Sequence, residues 1–270
     1  MPNPPLPLEL QDYIVDLLHD TRDALKSCCL VSKSWVPRTR KYLFARVSIH
    51  TPARLQSWKD TFPDPSRSPA SHAKYLIVEP QDVTTADGGE GGWISTFSRV
   101  VHFRVDVRGD SRSPITLAPF HGFSSFVETL HITFPAIPLS HIFDLILSFP
   151  LLRSIAVITY GKSIESAEVF DDRSLALLRP RPLNLPAFTG ILELSLGMGM
   201  GPIASRLLSL SGCLRFRKLR LVLHYQNDIL LTKALVESCS ATLESLYLKW
   251  APVCMYILHP PPHQRTNLWS

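Results

Sequence analysis

Residues 191–223 run Ile191-Leu-Glu-Leu-Ser-Leu196, then Gly197-Met-Gly-Met-Gly201-Pro202, then Ile203-Ala-Ser-Arg-Leu-Leu-Ser-Leu210 and, after a further link, Leu219-Arg-Leu-Val-Leu223. The first and last runs place apolar residues two apart, as a half-buried strand requires. The segment between them has helical spacing. Apolar runs with the same strand-like spacing recur along the chain, at Leu76–Val78, Val101–Val107, Leu130–Phe134, Ile155–Ile158 and Leu246–Leu248. They start about 25 to 30 residues apart, with one wider gap before Ile191. Helix-like segments intervene at Leu139–Leu147, Ile203–Leu210 and Leu230–Ser238. One strand-plus-helix unit cannot bury its own apolar face, so neighbouring units must stack. The expectation is an α/β chain built as a β/α solenoid. An open doubly wound sheet would show the same alternation.

Upstream of these runs the pattern is helical. Leu6-Pro7 opens a segment whose Leu10, Ile14, Leu17 and Leu18 share one face. Asp20 and Thr21 can cap a second helix carrying Leu25, Cys28 and Cys29. Leu30-Val31-Ser32 follows, then Trp35, and Leu43-Phe44 closes the unit. Pro37 is expected to end or kink the third helix. Three short helices cannot hide so many large apolar side chains in one small core, so some of them must cover another protein.

The ordered set Leu6-Pro7, Glu9-Leu10, Ile14, Leu17, Cys29-Leu30-Val31 and Trp35 resembles the F-box. This is the helical adaptor that clips a substrate receptor onto a Skp-type subunit of a cullin ubiquitin ligase. The ending, with Trp35, Pro37, Arg40 and Leu43-Phe44, resembles the variant abundant in mushroom-forming fungi. The resemblance implies that Leu6, Pro7, Leu10, Ile14, Leu30, Val31 and Trp35 bind the adaptor. F-box units are often followed by leucine-rich repeats. The cores Leu194-Ser195-Leu196, Leu219-Arg220-Leu221 and Leu246-Tyr247-Leu248 resemble degenerate copies, each without the usual asparagine after the strand. The expected organisation is a three-helix unit over residues 1–46, a proline-bearing loop from about Thr61 to Ala73, a leucine-rich-repeat-like solenoid over 74–250 and an irregular tail over 251–270.

Strand alternation assigns the target surface. With Leu130, Ile132, Leu194, Leu196, Leu219, Leu221, Leu246 and Leu248 inside, the flanking residues must point outward together. Arg104, Asp106, His131, Thr133, Glu193, Ser195, Arg220, Tyr247 and Lys249 would then line one sheet face and hold an unknown protein target. The chain would be a receptor and not an enzyme. An F-box protein that binds its adaptor without joining a ligase is a weaker alternative.

Other classes find less support. A net charge of +5 is carried by scattered Lys and Arg, which gives no nucleic-acid stripe. The five cysteines include an adjacent pair, Cys28-Cys29, and no C-x-x-C, which argues against disulfides and zinc. No secretory signal and no span of membrane length is visible, so the cytoplasm or nucleus is expected. His259 and His263 bracket three prolines, which precludes helical metal-ligand spacing, and Asp171-Asp172 reads as a helix cap. Gly199, Gly201 and Ala204 satisfy a G-x-G-x-x-A spacing, the basis of an alternative reading as a nucleotide-dependent α/β enzyme. The fingerprint also needs an acid ending the next strand, and none occurs before Asp228. No catalytic residue, cofactor or metal is expected.

Overall fold

The fold is taken from a computed structural model, which describes residues 6–79, 92–107, 117–133, 139–158, 187–196, 201–210 and 212–251. The Asp87–Gly91 glycines, Asp171-Asp172, the Arg179–Pro186 connector, Gly197–Met200, His259, His263 and the tail beyond Ala251 lie outside them. Three helices come first: α1 (Leu8–Leu17), α2 (Arg22–Val31) and α3 (Val36–Leu43). Then follow β1 (Arg46–Ile49), α4 (Pro52–Thr61), β2 (Tyr75–Val78), β3 (His102–Asp106), β4 (Thr129–Thr133), α5 (Leu139–Leu147) and β5 (Ser154–Ile158). The last part holds β6 (Ile191–Ser195), α6 (Gly201–Ser209), β7 (Lys218–Leu223), α7 (Asn227–Cys239) and β8 (Ser245–Trp250).

The eight described strands form one parallel sheet, and they pair in chain order from β1 to β8. Among the described residues no strand is inserted out of sequence, so the order does not reverse as it does in a doubly wound sheet. The register is continuous, so equivalent residues fall into columns across the sheet. One column runs Val47, Leu76, Phe103, Leu130, Ile155, Leu192, Leu219 and Leu246. A second, two residues further on, runs Ile49, Val78, Val105, Ile132, Val157, Leu194, Leu221 and Leu248. Except at β8 these side chains are buried. Leu55 of α4, Phe143 and Ile146 of α5, Ile203 and Leu207 of α6 and Leu235 of α7 join them in a single core. Among the described residues, short 3-10 turns lie at Ile94–Thr96 in the β2–β3 crossover and at Ala118–Phe120 in the β3–β4 crossover. Phe97 and Phe120 fill the space beneath them, and Phe120 lies 5.7 Å from Phe103 between ring centres.

The wide gap before Ile191 leaves the register intact, since Ile155 still pairs with Leu192. Gly190 marks the tight point. A Cβ there would lie 2.0 Å from Ser154 Oγ, and that oxygen accepts the amide of Ile191 at 3.0 Å.

Several expectations need correction. The sheet begins at Arg46 and not near residue 74. β1 is only four residues long, too brief for its alternation to stand out. Thr51 caps α4, its Oγ1 accepting the amide of Arg54, with Pro52 in the first turn. Part of the Thr61–Ala73 loop is two 3-10 turns, Pro65–Arg67 and Pro69–His72. Pro37 does not break α3. It sits in the first turn, where its missing N–H has no helical partner to lose. Leu246 and Leu248 are not inside: Leu246 is 43% exposed, because β8 is the last strand of the sheet. Among the described residues no helix is long and apolar enough to cross a membrane.

Candidate functional site

Polar contacts organise the helical unit. Asp16 of α1 receives Nε and Nη2 of Arg38, the former at 2.8 Å, and the hydroxyl of Tyr42 at 2.7 Å. These donors stabilise the carboxylate, and they hold its pKa at about 2. Gln11 ties the other end. Its Oε1 accepts the Trp35 indole N–H at 2.7 Å and the Ser34 hydroxyl at 2.8 Å, while its Nε2 donates to the Leu6 carbonyl. The start of α1 and the turn before α3 are therefore fastened together. Thr21 stands at the N-cap of α2, but its hydroxyl makes no capping bond. Cys29 Sγ lies 2.9 Å from Thr39 Oγ1.

The buried apolar residues of this unit's helices are few: Val15, Leu25 and Cys28. Most of the side chains assigned to the adaptor lie outside. Leu6, Pro7 and Leu10 are exposed at the start of α1, and Leu30 and Val31 at the end of α2 are 88% and 69% exposed. Ile14 and Trp35 are half-buried. Because Gln11 bridges Leu6 to Ser34 and Trp35, the start of α1 lies close to the turn that follows Leu30-Val31. Leu8, Tyr13 and Leu17 are exposed as well. Tyr13 and Leu17, three and seven residues after Leu10, extend the same helix face, so this addition was readable from spacing.

The residues assigned to the target fall into two neighbouring columns of the sheet. Arg104, His131, Glu193, Arg220 and Tyr247 share one, interrupted by Ala156. Asp106, Thr133, Ser195 and Lys249 share the next, interrupted by Ile158 and Val222. Arg104 Nε donates to Asp106 Oδ1 at 2.7 Å, and Arg220 lies 3.7 Å from Glu193 on the adjacent strand. Two residues depart from the solvated face that alternation implies: Asp106 is only 4% exposed and Thr133 is buried too. At the ends of β3 and β4 both faces of the strand are covered, so alternation no longer separates inside from outside. Thr133 Oγ1 and His131 Nε2 are buried without a hydrogen-bond partner. Burial, followed by the nearby charge of Arg104, pushes the His131 imidazole below its ordinary pKa.

A third column escaped the sequence reading. The Arg46 guanidinium sits 5.1 Å over the Tyr75 ring, and Tyr75 stacks on His102 with ring centres 4.2 Å apart. These residues are more than 25 positions apart in pairs and share no motif, so only the register brings them together.

Of the glycine motif, Gly201 opens α6 with Pro202 in its first turn. Asp228 is buried, and its carboxylate accepts the backbone amides of His224 at 2.9 Å and Tyr225 at 3.0 Å. It thus fastens the end of β7 to the start of α7. Among the described residues no group of three or more His, Cys, Asp or Glu is placed to hold a metal ion. Among the described residues, Cys28, Cys29 and Cys239 form no disulfide. No protein-family model and no curated protein matches the chain.

Proposed function

We propose that this chain is a substrate receptor of the F-box type. The helical unit docks on a Skp-type adaptor of a cullin ubiquitin ligase. The strands and their crossovers form a leucine-rich-repeat-like solenoid whose polar face holds a protein target. The observation that carries this reading is the placement of Leu6, Leu10, Leu30 and Val31 on the outside of a unit whose own core is already filled. Exposed apolar patches rimmed by polar residues mark protein contacts. The strictly sequential parallel order supports the solenoid, in which each unit touches only its neighbours. The receptor performs no chemistry. It raises the local concentration of the target beside a ubiquitin-charged subunit. Asp228 gives no support to a dinucleotide site, because two backbone amides already occupy its carboxylate.

The test is calorimetry of the full chain with a purified Skp-type adaptor. Binding at micromolar concentration or tighter is expected, and a Leu10→Asp, Leu30→Asp double variant should abolish it while the circular dichroism spectrum is unchanged. A monodisperse wild-type chain with no measurable binding overturns the proposal. Once a target is captured, charge reversal at Arg104, Arg220 and Lys249 together should release it and leave the adaptor bound.

A further inference from the structure

The first strand of the sheet is also an open edge. Among the described residues β1 pairs with β2 alone, and no strand lies on its other side. The carbonyls of Ala45 and Ile49 face β2, accepting the amides of Tyr75 at 2.9 Å and Glu79 at 3.1 Å. In a parallel ladder the outward peptide groups alternate with these, so those of Arg46 and Ser48 face away from the sheet. They face a cleft of about 860 Å³ between the helical unit and α4, and Ala45 through Ile49 line it.

The lining of this cleft is of two kinds. Leu25, Phe44, Trp58 and Phe62 give it an apolar wall. Arg22, Arg46 and Arg54 give it positive charge, and among the described residues none of the three forms an ion pair with a carboxylate. Arg46 rests over Tyr75, and Arg54 reaches the outward Ser48 carbonyl through a long 3.4 Å bond. Asp20, the acid among the lining residues, lies 3.0 Å from His19.

We propose that the open edge of β1 accepts an extended acidic peptide segment of another protein as an added strand. The added strand would pair with the Arg46 and Ser48 peptide groups, which supplies affinity without regard to side chains. Alternate side chains of a strand point to opposite faces. Its side chains meet both the aromatic residues and the arginines, so the fitting sequence combines apolar residues with Asp or Glu. Displacing the weak Arg54 contact frees that guanidinium for a peptide carboxylate, a stronger charge-assisted bond. This inference does not depend on the receptor reading, because none of its residues is among those assigned to the adaptor or to the target.

Fluorescence anisotropy with the full chain tests it. The probe is a labelled, end-blocked octapeptide of alternating Val and Glu. Saturable binding is expected, and the Val-Lys counterpart should not bind. N-methylation of alternate peptide amides, which removes the donors that pair with the edge, should weaken binding about tenfold. The Arg46→Glu, Arg54→Glu double variant should weaken it by about tenfold or more, while Arg153→Glu, on a distant crossover, leaves it unchanged. No binding of the Val-Glu probe up to about 1 mM to a folded chain overturns the proposal. So does equal affinity for the N-methylated and unmodified peptides, or full displacement by tripolyphosphate at matched charge, either of which means a bare anion site. Self-association of the chain that Arg46→Glu abolishes and the probe cannot compete would assign the edge to a second copy instead.

Discussion

The helical unit and the sheet use the same kinds of residue in opposite ways. In the sheet, the apolar columns through Leu76, Phe103, Leu130 and Leu219 are buried, and what remains outside is mostly polar. In the helical unit, Leu10, Leu17, Leu30 and Val31 stand outside, and polar side chains, Asp16 with Arg38 and Gln11 with Trp35, join the helices. An interior of leucines holds a fold together. An exterior of leucines over a polar-braced frame is available to a partner without unfolding anything. The apolar residues outside the helical unit therefore mark function more clearly than the many inside the sheet.

That contrast can be broken most forcefully at Phe103. Its ring lies within 6.0 Å of Phe120, Phe123 and Phe149, and its side chain is buried. Phe103→Ala should cost about 3–5 kcal/mol in urea unfolding, through lost burial and a cavity. A loss below about 1 kcal/mol would mean that the sheet interior is looser than its burial indicates. Leu30→Ala is the opposite case. Because Leu30 is 88% exposed, folding stability should change by no more than about 0.5 kcal/mol. Adaptor affinity should nevertheless fall by about 2 kcal/mol, as at other interface anchors. Equal effects on folding and binding would erase the distinction between the two regions.

Acid should separate the regions further. The Asp16 carboxylate is held at about 2 by Arg38 and Tyr42, below its ordinary 3.8. Its contribution to stability is complete above the ordinary value and is lost as pH falls through 3.8 towards 2. The indole N–H resonance of Trp35 should report loosening of α1 from α3 across that window. Asp16→Asn should show the loosened spectrum already at neutral pH, with the acid transition gone. The smallest effect belongs to the sheet. His131 titrates below the ordinary imidazole range, chiefly because it is buried. The stability of its neutral form is complete above that range and declines as pH falls through it. A proton NMR titration should place His131 below the ordinary imidazole value, and His131→Asn should remove this mild acid sensitivity from unfolding curves.

Much of the sheet was legible because period-two apolar runs are a strong local signal, and the strands near Val101, Leu130, Ile155, Ile191 and Leu219 lie where those runs fall. β1 was not, because four residues between two helices carry too little pattern, although Thr51-Pro52 announces the helix after it. Pro37 misled for the reverse reason: a helix breaker and a first-turn residue are the same amino acid, and only position decides. For the candidate site, alternation put Arg104, His131, Glu193, Arg220 and Tyr247 on one sheet face without help from structure, while their alignment in one column needed the strand register. Side-chain pairing was out of reach. Nothing local in the sequence says that Gln11 meets Trp35, or that Arg46, Tyr75 and His102 stack across three strands.

The chain-order pairing of the strands also sets how this protein bears load. Pulled from its ends, the sheet carries tension through ladders arranged in series, so the shortest ladder limits the whole. Three ladders are short: β1–β2, β2–β3 and β5–β6 share four residue pairs each, against five between β3 and β4 and six between β7 and β8. A tug on the helical unit while the far end is held would load these three alike, so the sheet would part first at one of them. Two of the three lie beside the junction with the helical unit.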